Sequence, residues 1–92
     1  RNTLDIQAVP VIRQVSHLPI IIDPSHAAGR WELVTPMACA AVAAGADGLL
    51  VEVHPNPAEA MSDGQQSLKP ERFGQMMAAI RPLLDVMKRE LC

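Results

Sequence analysis

A chain of 92 residues with 49% hydrophobic side chains, 20% charged side chains and a net charge of −2 has the composition of one small globular domain. It carries no basic run and no aromatic platform, which excludes the usual footprint of a nucleic-acid binder, and no apolar stretch reaches the ~20 residues of a membrane span. Aromatic residues are confined to Trp31 and Phe73, so the core must be built from Ala, Val, Ile, Leu and Met, which suits helices packed on a sheet.

Asn2 or Thr3 can cap a first turn, and Asp5 suits the positive end of a helix. Pro10 fits best in a first helical turn, so the spacing predicts a helix over residues 8–15, with Val9, Ile12 and Val15 as its apolar side. His17 lies in the connection that follows and reads as a solvent-exposed loop histidine. Residues 19–23 form a continuous apolar run ending in Asp23. Such a run is covered on both faces, which points to a parallel sheet. The polar cluster Asp23-Pro24-Ser25-His26 ends it, and residues 27–30 read as a small-residue loop.

A second helix is expected from about Glu32 or Thr35 to Ala44, with Met37, Ala40, Ala41 and Ala44 at helical spacing and Gly45 as its C-cap. Residues 48–53 then read as a buried strand, β-branched at Val51 and Val53. Glu52 stands near its end, where a carboxylate is costly to bury without a positive partner. A strand, a helix and another strand make a βαβ unit with a right-handed crossover. Residues 56–66 form a polar loop containing Ser62-Asp63-Gly64. The last helix is expected over residues 70–91, with Phe73, Met77, Ile80, Leu84, Met87 and Leu91 as its apolar stripe and a kink at Pro82. Lys88 and Arg89 suit its C-terminal dipole.

The order helix, strand, helix, strand, helix is too little sheet for a self-contained α/β domain. It matches the closing part of a (β/α)8 barrel, a fold of ~250 residues; an open doubly wound sheet is the alternative. The chain does not begin with Met and Arg1 falls in a loop, so a piece of a longer chain is expected. No secretory pattern opens it. Cys39 and Cys92 lie far apart without metal-type spacing, and a reduced, cytoplasmic setting is the expectation.

His26, Glu52 and Asp63 each sit at or beyond the C-terminal end of a strand, where barrels and open α/β sheets carry their chemistry. One imidazole and two carboxylates suit a divalent metal with mixed nitrogen and oxygen ligation, such as Mn, Fe, Co or Zn. On the residues alone, a hydrogen-bonded core histidine beside two loop carboxylates is the more ordinary reading, because the pattern is not a compact motif such as H-E-x-x-H. Asp23 and His54 are either partners that orient ligands or polar residues that end strands. Arg30 is either a phosphate-binding cation or a solvated loop charge. A Ser-His-Asp triad through Ser25 or Ser62 is rejected, because no nucleophile elbow surrounds either serine.

Taken together, Asp23-Pro24-Ser25-His26, Ala43-Ala44-Gly45-Ala46-Asp47-Gly48, Glu52-Val53-His54-Pro55 and Ser62-Asp63-Gly64 resemble the C-terminal third of 3-deoxy-D-arabino-heptulosonate 7-phosphate (DAHP) synthase. The branch is the one that also holds 3-deoxy-manno-octulosonate 8-phosphate (KDO8P) synthase. The resemblance covers nearly the whole chain. Arg1-Asn2-Thr3-Leu4-Asp5 and Gln66-Ser67-Leu68 favour the DAHP enzyme; the octulosonate enzyme tends to have Thr where this chain has Ser25.

The resemblance implies that residues 1–92 are the C-terminal part of a single (β/α)8 catalytic domain, incomplete alone. It implies a transferase that condenses phosphoenolpyruvate with erythrose 4-phosphate in an aldol-type reaction, releasing phosphate, at the entry to the shikimate pathway of aromatic amino-acid biosynthesis. It implies a divalent metal held by a Cys, a His, a Glu and an Asp; by motif position the last three are His26, Glu52 and Asp63. The Cys ligand belongs to an early strand that this chain lacks, and neither Cys39 nor Cys92 matches it. Most of the cations that hold the substrate phosphates also lie outside. Arg1, Asn2 and Thr3 are expected to line the sugar-phosphate end. The parent enzyme is expected to be homo-oligomeric and cytoplasmic, and these residues alone inactive. The alternatives are KDO8P synthase, with arabinose 5-phosphate as acceptor, and a non-catalytic fragment that associates through unpaired strand edges.

Overall fold

The computed structural model describes residues 4–56 and 67–91. Helix α1 covers Ala8–Val15, as its sequence predicts. The Asp5 carboxylate accepts from the Ala8 amide at 3.2 Å and so satisfies one of the free donors of the first turn. Val9 is the buried residue of this helix, whereas Ile12 and Val15 are exposed. His17 is exposed, as expected.

Strand β1 is Ile21–Ile22 and pairs in parallel with β2, Gly48–Leu49, in the register Ile21 with Gly48 and Ile22 with Leu49. Both are shorter than the apolar runs that contain them. Pro24 ends β1, because it has no amide to donate and its fixed φ starts a helix instead. That helix, α2, covers Pro24–Ala28 and corrects the expected order: the chain runs helix, strand, helix, helix, strand, helix. Asp23 caps it and Gly29 closes it at φ 71°. Beyond β2 the backbone stays engaged without forming a longer ladder. Leu50 N–H donates to Ile22 C=O at 2.8 Å, and Val53 forms an isolated parallel bridge with Leu68. A Cβ at Gly48 would stand 2.6 Å from Ile21 Cδ1, the far end of an exposed side chain that would have to turn aside.

Helix α3 covers Trp31–Ala44 and ends at Gly45, whose φ of 103° belongs to the left-handed region where a side chain is strained. Its buried residues are Val34, Ala38, Ala41 and Val42, so of the expected face only Ala41 is fully buried. Helix α4 covers Pro70–Val86 and runs through Pro82. It ends short of Leu91 because Lys88 turns left-handed at φ 57° and Arg89 N–H closes back on Leu84 C=O at 2.8 Å.

The core forms where α4 lies on α3. Val34, Ala38, Val42, Leu68, Met76 and Ile80 are buried together, with Met77, Leu83 and Leu84 partly buried against them. The small side chains of α3 let α4 approach closely, and that contact turns Met76 rather than Phe73 into the centre. Each large aliphatic side chain buried there contributes about 1.5–3 kcal/mol. Among the described residues, no helix is long and apolar enough to cross a membrane.

At the N-terminal edge of both strands, Asp47 gathers three donors. Its Oδ2 accepts from Arg13 Nη2 at 2.6 Å and from Ile20 N–H at 2.8 Å, and its Oδ1 from Arg89 Nη2 at 2.5 Å. The Ile20 amide first, and then the Arg13 guanidinium, hold this carboxyl down at about 2.

Candidate functional site

Parallel pairing puts the C-terminal ends of β1 and β2 on one side, opposite Asp47. His26 reaches that side from the middle of α2, and Glu52 from the extended backbone after β2. His26 Nε2 stands 3.2 Å from Glu52 Oε1. Residues 26 positions apart in the chain are thus brought within contact, as their strand-end positions predict.

Asp23 holds the imidazole from the other side. Its Oδ2 lies 2.5 Å from His26 Nδ1, and its Oδ1 accepts from the His26 backbone N–H at 2.9 Å. A carboxylate can only accept, so Nδ1 carries the proton and donates it to Asp23. Nε2 is then the atom left to face Glu52. A lone pair opposite a carboxylate oxygen at 3.2 Å is repulsive, so this gap calls for a proton or a cation between the two atoms. The orienting reading of Asp23 fits this geometry.

The other candidates are placed as follows. His54 Nδ1 accepts from Asn56 N–H at 2.9 Å, in keeping with a polar residue that ends the strand segment. Arg30 pairs with Glu32 at 3.1 Å and is largely exposed, in keeping with a solvated loop charge. Glu32 is held below the usual carboxylate range by its own amide at the α3 N-terminus and then by Arg30. Ser25 does not stand in a triad; it is fully buried, and its Oγ accepts from the Glu52 N–H at 2.9 Å. Arg1, Asn2, Thr3, Ser62, Asp63 and Cys92 lie outside the described residues. Cys39 is a free thiol on α3.

Among the described residues, no group of three or more His, Cys, Asp or Glu is gathered as a metal cage. The pair that is gathered has the right spread for two members of one. Metal bonds of about 2.0–2.2 Å to imidazole nitrogen and carboxylate oxygen put adjacent donor atoms about 2.8–3.1 Å apart at octahedral angles and about 3.3–3.6 Å apart at tetrahedral ones, and the 3.2 Å between His26 Nε2 and Glu52 Oε1 falls between the two. An imidazole whose second nitrogen donates to a carboxylate is also how proteins orient a ligating histidine.

Sequence reasoning missed two residues that shape this end and its opposite. Ser25 was visible only as a serine beside a histidine, and nothing local marks it as a support for residue 52. Asp47 was visible only as a polar residue between glycines, because its partners Arg13 and Arg89 are 34 and 42 positions away.

Comparison with known proteins agrees with the fold and the motifs. The family model of the DAHP synthetase I family matches residues 1–86. Phospho-2-dehydro-3-deoxyheptonate aldolase of Thermotoga maritima is 55% identical over 87 residues, covering 95% of this chain and 26% of that protein. 2-Dehydro-3-deoxyphosphooctonate aldolase of Desulfosudis oleivorans is 38% identical over 88 residues, covering 84% of this chain and 32% of that protein. A solved structure of a truncated form of the Thermotoga maritima 3-deoxy-D-arabino-heptulosonate 7-phosphate synthase superposes on the whole chain with a TM-score of 0.96 and 52% identity, over 35% of its own length. The chain thus spans about a quarter to a third of the proteins it matches, and its fold is that of part of a (β/α)8 barrel. The chain belongs to the DAHP synthetase I family.

Proposed function

We propose that these residues are the C-terminal part of the catalytic barrel of a metal-dependent DAHP synthase, which joins phosphoenolpyruvate to erythrose 4-phosphate in an aldol-type condensation that releases phosphate. The observation that carries this reading is the facing pair His26 Nε2 and Glu52 Oε1 at 3.2 Å, with Asp23 behind the imidazole. His26 and Glu52 would hold a divalent metal (Mn, Fe, Co or Zn) together with Asp63 and a cysteine from another part of the barrel. Such an ion supplies Lewis-acid polarisation of a carbonyl. The chain's own contribution is positional. Asp23 fixes the tautomer and the ring plane of His26, and α2 and the segment after β2 bring the two ligand atoms together.

Arg1, Asn2 and Thr3 are proposed to meet the sugar-phosphate end of the substrate. The enzyme is proposed to be a cytoplasmic homo-oligomer. The 92 residues alone are proposed to be inactive, because the cysteine ligand and most phosphate-binding cations belong to the rest of the barrel. Ile21 and Leu50, exposed along the strands at 59% and 57%, favour self-association of the isolated piece.

KDO8P synthase is the second reading, and the lower identity to the octulosonate aldolase ranks it behind. The test is phosphate release by the full-length protein with Mn2+, phosphoenolpyruvate and either erythrose 4-phosphate or arabinose 5-phosphate. Turnover with the four-carbon acceptor, lost in Glu52→Gln, is the expected result. Turnover with the five-carbon acceptor alone would transfer the assignment to the octulosonate enzyme.

A further inference from the structure

The amides along one edge of the second strand segment find their acceptors in turn. Gly48 N–H donates to Ile20 C=O at 3.2 Å, and Leu50 N–H donates to Ile22 C=O at 2.8 Å. In a parallel ladder the next donor, Glu52 N–H, would look for a carbonyl two residues further along β1. Pro24 has already turned the chain into α2 at that point. Ser25 Oγ stands in for the missing carbonyl and accepts from Glu52 N–H at 2.9 Å. Ser25 is fully buried, so no water replaces its hydroxyl.

We propose that Ser25 is a positioning residue of the metal site: its Oγ fixes the backbone at Glu52 and thereby holds Glu52 Oε1 opposite His26 Nε2. The inference rests on the metal-site reading above. Ser25 precedes His26 in the chain and bonds Glu52 across the sheet, so one side chain ties together the two strand ends that carry the facing atoms. The Ser25 hydroxyl touches neither substrate nor metal. It acts through the Glu52 main chain.

The test uses the full-length protein and Mn2+ alone as the probe. Dissociation constants are measured by calorimetric titration at 25 °C for the parent, Ser25→Ala, Ser25→Thr and Glu52→Gln, and melting temperatures are taken on the metal-free proteins. Loss of a group that orients a ligand weakens metal binding by about 10- to 100-fold, and that is the loss expected of Ser25→Ala. Ser25→Thr, which keeps the hydroxyl, is expected to restore most of the affinity. Should Ser25→Ala fail to fold, Ser25→Cys replaces it, with nearly the same volume and a weak sulfur acceptor. A Ser25→Ala protein with a lowered melting temperature and unchanged Mn2+ affinity overturns the positioning role while Glu52→Gln, still losing the ion, upholds the metal site. Equal weakening in the Ala and Thr variants overturns it as well, because shape rather than the hydroxyl would then matter. Equal Mn2+ binding by the parent and Glu52→Gln overturns the metal site and the role of Ser25 together.

Discussion

Asp23→Asn separates two tasks that one carboxylate performs. Asp23 Oδ1 caps α2 through the His26 amide, and Oδ2 takes the Nδ1 proton of the same residue. Asparagine offers one oxygen and one amide nitrogen in place of two oxygens. If its oxygen stays on the cap, its NH2 group faces Nδ1, and the ring must move its proton to Nε2, the atom that faces Glu52. If its oxygen turns to Nδ1, the cap is lost at a cost of about 1 kcal/mol. Keeping the ring and losing the cap is thus one escape, and keeping the cap and losing the lone pair on Nε2 is the other. The first lowers the melting temperature and leaves Nε2 able to bind; the second weakens metal binding by about 10- to 100-fold, equivalent to about 1.4–2.7 kcal/mol. Titration of the metal-free, full-length protein with Mn2+ measures the loss, and nitrogen-15 histidine spectra report which ring nitrogen carries the proton. An Asp23→Asn protein that binds Mn2+ within twofold of the parent and also keeps the parent's melting temperature refutes the reasoning.

Ile80 is 2% exposed in the core, and Ile80→Ala removes three carbons worth about 0.8 kcal/mol each, plus a cavity term, for a total of about 2–5 kcal/mol. Val86, 75% exposed on the same helix, serves as the control in urea unfolding, with Val86→Ala expected within about 0.5 kcal/mol of the parent. The left-handed positions predict opposite signs from one rule. Gly45→Ala destabilises by about 1–2 kcal/mol, whereas Lys88→Gly stabilises, as read from shifts in melting temperature. The Ile20 amide and then the Arg13 guanidinium hold the Asp47 carboxyl down at about 2, below the ordinary aspartate range. The folded value is the lower one, so its stabilisation is present above the unfolded value and is lost as the pH falls from about 4 to about 2. Acid unfolding followed by circular dichroism should show that arm flattened in Asp47→Asn.

The elements whose signals are local were the ones legible in the sequence. Helix α1 occupies the predicted span because Asp5, Val9 and Pro10 act within two turns of one another, although Ile12 and Val15 of the expected apolar side stay exposed. Gly45 closes α3 as its type suggests. Helix α2 departs from the expectation although its signal is present: Asp followed by Pro is an N-cap and a first helical residue, and the reading of Asp23-Pro24-Ser25-His26 as a polar strand end absorbs both. Trp31 joins α3 because Arg30 stays extended, which only the packing decides. The expected end of α4 overshot because a left-handed lysine leaves no mark in the sequence. The stripe on α4 was rotated because periodicity gives a face its width and leaves its facing partner unspecified. Here α3 chose Met76 over Phe73. At the candidate site, His26 and Glu52 were legible because strand ends collect chemistry, while Ser25 was not, because the ladder it completes exists only once the strands are paired.

The cluster at Asp47 gives the N-terminal edge of the sheet redundant holds. Two guanidinium groups and one main-chain amide converge on a single carboxylate, from α1, from the entry to β1 and from the turn beyond α4. Swinging either outer arm away leaves the other still anchored, so fraying at residue 13 does not release residue 89. The Ile20 amide proton, which points at the same carboxylate, is therefore the reporter of the whole junction: it becomes exchangeable with solvent when the cluster lets go, and hydrogen exchange at that one amide reads out how cooperatively the lower rim of the sheet is held.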